Sequence, residues 1–351
     1  MVKPRILAKG SLSHEQLSVK TNIGCDGLEI QLLGELIADR ESGNYLRPKE
    51  IFELEEFVKY PIDVVHAPLV PGKGDVVLEV LCDDKDLPLL NGIFYIANYF
   101  GKVQRKSVVI VLHSEEYYEK LSDMGDAWSR ILLVFDRMLT QYPYTEVAIE
   151  NVSPLRGIGK GKELHLSNNF AFDNVIMVEE LRKVLETDRI GTCLDTCHAM
   201  LANKYITALY NLIGDIPAPD LSMYKYFERN ASYLKLVHLC DMKGSGYGQG
   251  RHGIPFHAGT YKTLSEILNT YRKFKCTCPI TLEVEESDYS LCDGYRNTKE
   301  QVDIYYKQFY TPTSEQLKWC RENAPDAYKE YNNTVLWALM KNTFFKFHGN
   351  V

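Results

Sequence analysis

The feature of this chain that most limits its fold is an alternation sustained from end to end. Short β-branched or apolar runs are each followed by a longer stretch whose apolar residues recur at helical spacing. The runs are Arg5–Lys9, Gly27–Leu32, Asp63–Ala67, Ser107–His113, Glu146–Glu150, Ile190–Asp195, Leu234–His238 and Ile280–Glu283, eight in all. Between them lie Pro48–Lys59, Leu87–Gly101, Ala127–Gln141, Val178–Glu186 and Thr260–Phe274, and Thr298–Tyr310 follows as the eighth helix. Parallel strands need crossovers long enough to hold a helix. Eight such units without a Gly-rich dinucleotide turn predict an α/β fold of the (β/α)8, or TIM, barrel type rather than an open doubly wound sheet.

At 351 residues the chain has room for one barrel and a tail. Residues 1–311 are assigned to the barrel and 312–351 to a C-terminal helical appendage. Within Ser314–Phe347 the apolar positions Leu317, Trp319, Tyr328, Leu336 and Leu339 follow one another without turn chemistry. The plain reading of such an appendage is a cover for apolar surface. Ser153–Asn174 and Lys243–Gly259, rich in Gly, Asn and Lys, read as loops after strands five and seven, on the face where barrel chemistry sits.

A net charge of −7 weighs against a protein that binds by blanketing phosphates with Lys and Arg, though a local basic rim is compatible with it. No run of about 18 apolar residues occurs, and MVKPRILAKG lacks a signal-peptide core. A soluble, cytoplasmic protein with no membrane partner is expected. The nine cysteines are scattered, and Cys193/Cys197 and Cys276/Cys278 lack the spacing of paired zinc knuckles, so free thiols are expected.

Nearly every strand from the third onward ends in a residue that ligates metals or moves protons. The runs are VVHAP with His66, IVLHS with His113, AIENV with Glu150, CLDTCH with Asp195 and His198, LVHLCD with His238 and Asp241, and TLEVEE with Glu283; the loop GRHGIP adds Arg251 and His252. Taken singly, each is more often a satisfied core histidine or a solvated carboxylate. In a parallel barrel, however, all strand C-termini converge on one mouth. Imidazoles and carboxylates crowded there at low dielectric call for a cation among them. The mixture suits zinc first, with manganese or iron as alternatives, more than calcium. Asp241 reads either as a partner that orients an imidazole or as a loop cap.

Residues 24 to 286 resemble the xylose-isomerase-like barrel superfamily, which includes the endonuclease IV (AP endonuclease family 2) DNA-repair enzymes and many sugar isomerases and epimerases. Glu150, Asp195, His238 and Glu283 match the metal-binding quartet common to both branches, and GCDGLEI at Gly24–Ile30 looks like the second strand of sugar-isomerase members. The resemblance to endonuclease IV implies two to three ions. His66 and His113 match ligands of the first, Glu150 bridges to the second, and His198 and His252 match ligands of the third. Three departures stand out: Gly250 occupies the place of an Asp ligand of the third ion, QLLGEL lacks the Arg-bearing loop of repair members, and Leu69 replaces an aromatic. In the epimerase branch, His198 and Arg251 match positions that touch sugar hydroxyls or carboxylates.

Two activities follow as expectations. The first is phosphodiester hydrolysis by metal-activated hydroxide, as in abasic-site DNA repair, with Glu283 orienting the nucleophile and Arg251 contacting phosphate. The second is isomerisation or epimerisation by a proton shift next to a carbonyl on a small sugar or hydroxy acid, with Glu150 and Glu283 as the acid/base pair, so that the expected partner is DNA or a small phosphorylated or sugar substrate. A barrel that binds a partner without turnover is the third and weakest reading.

Overall fold

The computed structural model describes residues 3–33, 35–39, 44–68, 84–113, 121–152, 155–158, 163–166, 171–214, 217–243 and 251–307, and scattered positions between 318 and 329. The chain divides into two compact units, Val2–Asp303, and Ile304–Val351 with Met1. All the site residues discussed below belong to the first. The tail expected as an appendage at 312–351 lies almost entirely outside the described residues.

The barrel strands are β1 Ile6–Gly10, β2 Gly27–Gln31, β3 Ile62–His66, β4 Val108–His113, β5 Thr145–Glu150, β6 Ile190–Asp195, β7 Leu234–Leu239 and β8 Ile280–Leu282. Each pairs in parallel with its sequence neighbour, and β8 closes on β1. This is the (β/α)8 barrel the sequence predicts. The helices among the described residues are α1 His14–Ile23, α2 Pro48–Ile51, α3 Leu87–Gln104, α4 Leu121–Gln141, α5 Ala171–Leu185, α6 Thr196–Ile213, α7 Met223–Asn230, α8 Tyr261–Lys273 and α9 Asp293–Lys307.

Three expectations about connections need correction. Pro48–Lys59 is not one helix: the chain turns extended at Phe52, and a separate 3-10 turn follows at Leu54–Phe57. That break buries Leu54 and Phe57, which a continuous helix would not have placed together with the α2 face. The Ser153–Asn174 stretch contains an antiparallel hairpin, Leu155–Ile158 with Glu163–Leu166, and its end already belongs to α5. Lys243–Gly259 likewise contains a hairpin strand, Arg251–Ile254, which pairs with Asp241–Lys243.

Strand geometry explains why the mouth is so densely functional. Side chains alternate between faces of a strand, so residues two apart share a face. Leu7, Val64, Val111, Ala148, Cys193 and Leu236 form one buried cluster inside the barrel. Two positions further along the same strands stand Lys9, His66, His113, Glu150, Asp195 and His238. The apolar layer therefore seals the interior beneath, and the next inward layer is the site. Register completes the placement by setting His113 beside Glu150, Asp195 beside His238 and Lys9 beside Glu29. Gly191 in β6 is required for close approach, because a Cβ there would lie 2.3 Å from the Tyr233 carbonyl oxygen.

Candidate metal centre

Glu150 occupies the centre of the mouth, fully buried. Its Oε2 lies 3.0 Å from His66 Nε2 and 3.1 Å from His113 Nε2, and its Oε1 lies 2.9 Å from His238 Nδ1. His238 Nδ1 is also 2.6 Å from Glu283 Oε2, although that oxygen takes no well-directed hydrogen bond. On the far side of the ring, His238 Nε2 faces Glu29 Oε2 at 3.1 Å.

Asp195 ends β6 and caps α6, accepting the backbone N–H of His198 through Oδ1 at 2.7 Å. Reciprocal bonds with Asn151 hold the same stretch: the Asp195 N–H donates to Asn151 Oδ1 at 2.8 Å, and Asn151 Nδ2 donates to the Asp195 carbonyl at 3.0 Å. His198 Nδ1 lies 2.8 Å from the Asn151 carbonyl, which leaves Nε2 as its lone-pair nitrogen. His252 Nε2 meets Asp195 Oδ2 at 3.0 Å, and its ring stacks on His198 with centroids 4.7 Å apart.

These residues form overlapping donor groups whose ligand atoms lie within 4.8 Å of one another: His66/His113/Glu150, Glu150/Asp195/His238/Glu283 and Asp195/Cys197/Cys240/His252. The first two share Glu150. Of the eight expected ligands, seven fall into these groups. His198 is the exception, its Nδ1 being committed to a carbonyl and 3.7 Å from Asp195 Oδ2. Gly250 and the Arg251 side chain lie outside the described residues. Asp241 Oδ1 accepts the N–H of Met242 at 2.8 Å, which matches the loop-capping role.

The first group fits a cation on electronic grounds. His66 Nδ1 lies 2.9 Å from the Ala67 carbonyl, an acceptor, so that nitrogen carries the proton in the neutral ring. Its Nε2 then aims a lone pair at a carboxylate oxygen 3.0 Å away. Only a proton or a metal ion relieves that contact. Burial, reinforced by the positive charge of Lys9, pushes His66 below its ordinary pKa and so disfavours the proton.

Two charged residues at the centre escape a search for ligand motifs, Lys9 and Glu29. Lys9 Nζ donates to Glu283 Oε1 at 2.6 Å and lies 3.2 Å from Glu29 Oε1. Burial alone would neutralise this amine, but Glu283, Glu29 and Glu150 raise its pKa instead. Glu29, also opposed by burial, is held down at about 2 by the positive charges of His238 and Lys9. Both residues follow the same two-residue inward step, from Leu7 and Gly27, and that step was the signal for them. Glu29 orients His238 from behind, as carboxylates behind metal-ligating imidazoles do.

Burial also opposes charge on His238, yet Cys193, Glu283, Glu29 and Glu150 together raise its pKa well above the ordinary value. Burial likewise disfavours charged Glu150 and Glu283, but His238 and its neighbours hold both well below the carboxylate range. The carboxylates are therefore ionised across the neutral range, and in the Glu150/His238 group His238 presents a proton that an ion must displace. Metal affinity should consequently rise with pH across the neutral range, until the raised His238 value is passed. The stability that protonated His238 gives the metal-free fold runs the other way: it is complete below the unfolded value and lost as pH rises through the raised one. Competitive chelator titrations that gave a flat affinity over this window would contradict the assignment.

A cavity of about 360 Å³ opens beside the site, lined among others by Lys9, Gln31, His252, Glu283 and Tyr289. No helix of the described residues is long and apolar enough to cross a membrane.

No family model matches the chain. It is 22% identical over 259 residues to a probable endonuclease 4 of Mycoplasma genitalium, a match that covers 70% of this chain and 75% of that protein. It is 34% identical over 116 residues to apurinic-apyrimidinic endonuclease 1 of Plasmodium falciparum; this match spans 31% of the chain and only 18% of that longer protein. Among solved structures, a D-tagatose 3-epimerase-like protein superposes with a TM-score of 0.54 at 15% identity, over 87% of this chain and all of that one. The chain is thus a (β/α)8 barrel similar in fold to a D-tagatose 3-epimerase-like protein and similar in sequence to a probable endonuclease 4, with candidate divalent-metal donors at its mouth.

Proposed function

We propose that the protein is a metal-dependent phosphoesterase of the endonuclease IV type, acting on a phosphodiester in DNA, with abasic sites as the first substrate to test. One observation carries the proposal: the two oxygens of Glu150 face different donor sets, Oε2 between His66 and His113 and Oε1 toward His238. A carboxylate so placed suits bridging two ions, an arrangement a mononuclear isomerase does not require. Imidazole and carboxylate donors favour zinc, with manganese or iron as substitutes.

His66 and His113 would hold the first ion with Glu150, and Asp195, His238 and Glu283 the second. Bound there, divalent ions lower the pKa of water toward ~7 and neutralise charge on phosphate oxygens. The remaining work falls to the chain. Glu283, fixed by Lys9 at 2.6 Å, orients the attacking water. Glu29 fixes the His238 ring from behind, and Arg251 would contact phosphate from the hairpin.

A second reading, proton transfer next to the carbonyl of a small sugar, draws on a separate observation. The cavity of about 360 Å³ beside Lys9, Gln31 and Glu283 has the size of a small-ligand pocket. Glu150 and Glu283 would then form the acid/base pair.

Elemental analysis of unsupplemented protein decides between them. At least two metal equivalents and cleavage of abasic-site duplex are expected, with the count falling by one and cleavage lost in His66→Ala/His113→Ala. A metal count unchanged by that double substitution, with ketose epimerisation surviving it, would overturn the phosphoesterase reading.

A further inference from the structure

The third donor group contains something neither reading uses, two buried thiols. Cys197 lies one residue into the first turn of α6, and Cys240 immediately follows β7, the neighbouring strand. Both are fully buried, and their sulfurs lie within 4.8 Å of each other, of a His252 ring nitrogen and of an Asp195 oxygen. Two sulfurs, one imidazole and one carboxylate make a four-donor set of the kind that soft or borderline divalent ions take tetrahedrally.

From this juxtaposition we propose that Asp195, Cys197, Cys240 and His252 form a separate thiolate-bearing cation site, with zinc as the natural occupant and cobalt or cadmium as faithful substitutes. In this arrangement Asp195 serves as the link to the Glu150 centre.

Three features of the fold support a built site. Asp195 is fixed by its bonds to His198 and Asn151, so its Oδ2 is held toward His252 rather than left to rotate. His252 is presented by a hairpin whose next residue, Gly253, has φ of 77°. A side chain at that position would be strained and would meet Glu285 Cγ at 2.8 Å, so only glycine lets the hairpin fold so close to the end of β8. The Gly253 backbone also hydrogen-bonds the Cys197 sulfur. Finally, His252 borders the cavity at the barrel mouth and keeps 30% of its side-chain surface exposed, which gives an ion a route to donors otherwise sealed.

The competing account is that the thiols are small apolar residues, since Cys197 and Cys240 also pack with Leu201, Met242 and Val284. The two accounts differ in spectroscopy. Metal-free full-length protein is titrated with cobalt, and absorbance is followed in the near-ultraviolet, where thiolate-to-cobalt charge transfer appears, and in the visible, where tetrahedral ligand-field bands appear. The site predicts a charge-transfer band that saturates at one equivalent. Cys197→Ser/Cys240→Ser should lose that band and one metal equivalent while keeping the ligand-field bands of the Glu150 centre.

A band that persists in the double variant, as Cys193 beside Glu150 and His238 could give, would overturn the assignment. So would the absence of any band in the parent. Cadmium NMR on the unaltered protein covers the case in which the variant does not fold: a resonance shifted downfield into the range of two thiolate ligands supports the site, and only oxygen- and nitrogen-ligated resonances refute it. The outcome is independent of which reaction the barrel performs. A protein that fails on abasic DNA but shows the thiolate band keeps the site and loses only the phosphoesterase.

Discussion

If the proposed function holds, Glu150→Gln is expected to lower phosphodiesterase activity by about a thousandfold or more and to weaken both ions proposed for the Glu150 centre together. The side chain keeps its shape and loses its charge, so a packing defect is a poor explanation for the loss. An amide cannot supply two anionic oxygens, and its NH₂ would turn a donor toward either His238 or the His66/His113 pair. Whichever way it turns, one of the donor sets meeting at Glu150 is broken. Activity should be compared with metal content measured on the same preparation. Full metal content with a large loss of activity would place Glu150 in proton transfer and favour isomerase chemistry. Full content with unchanged activity would remove it from the centre altogether.

Lys9→Met should be nearly as informative, and on stability rather than chemistry. Lys9 faces Glu29 and Glu283, and the three side chains keep only 10%, 0% and 13% of their surface exposed. Removing the cation leaves two buried carboxylates that share His238 as their remaining cationic neighbour. Deleting one member of a buried ion pair costs about 3–5 kcal/mol, and that range is expected here in denaturant unfolding of the metal-free protein. Bound metal supplies part of the missing positive charge, so the loaded variant should lose less. Lys9→Met/Glu29→Gln should recover part of the loss because one orphaned charge is gone, and the departure from additivity measures the coupling. A metal-free Lys9→Met protein within about 1 kcal/mol of the parent would show that water already reaches these carboxylates and screens them.

Both predictions rest on side chains whose visibility in the sequence differed. Glu150 was legible because it ends an apolar run, as His66, His113, Asp195, His238 and Glu283 do. Lys9 and Glu29 end or interrupt such runs too, but a lysine and a glutamate near the start of the chain look like ordinary solvated charges. What marks them is their step of two from Leu7 and Gly27, a relation that means something only once the inward face of each strand is known. The hairpins inside Ser153–Asn174 and Lys243–Gly259 were hidden for another reason: strands of three or four residues rich in Gly and polar groups carry no hydrophobic period. The helix α6 begins directly after Asp195 with no turn residues between it and β6, so strand and helix signals run together there.

The order and number of strands, the barrel, and which strand ends carry imidazoles and carboxylates were set by the linear pattern, because alternation and helical spacing are local properties that each segment expresses alone. Which donors lie close enough to share an ion, that Glu150 stands between two sets, that a lysine lies among them, and that Cys197 meets Cys240 were decided only by closure of the barrel. Strand register and tilt fix distances between residues as far apart in the chain as Lys9 and Glu283, and no local rule contains that register.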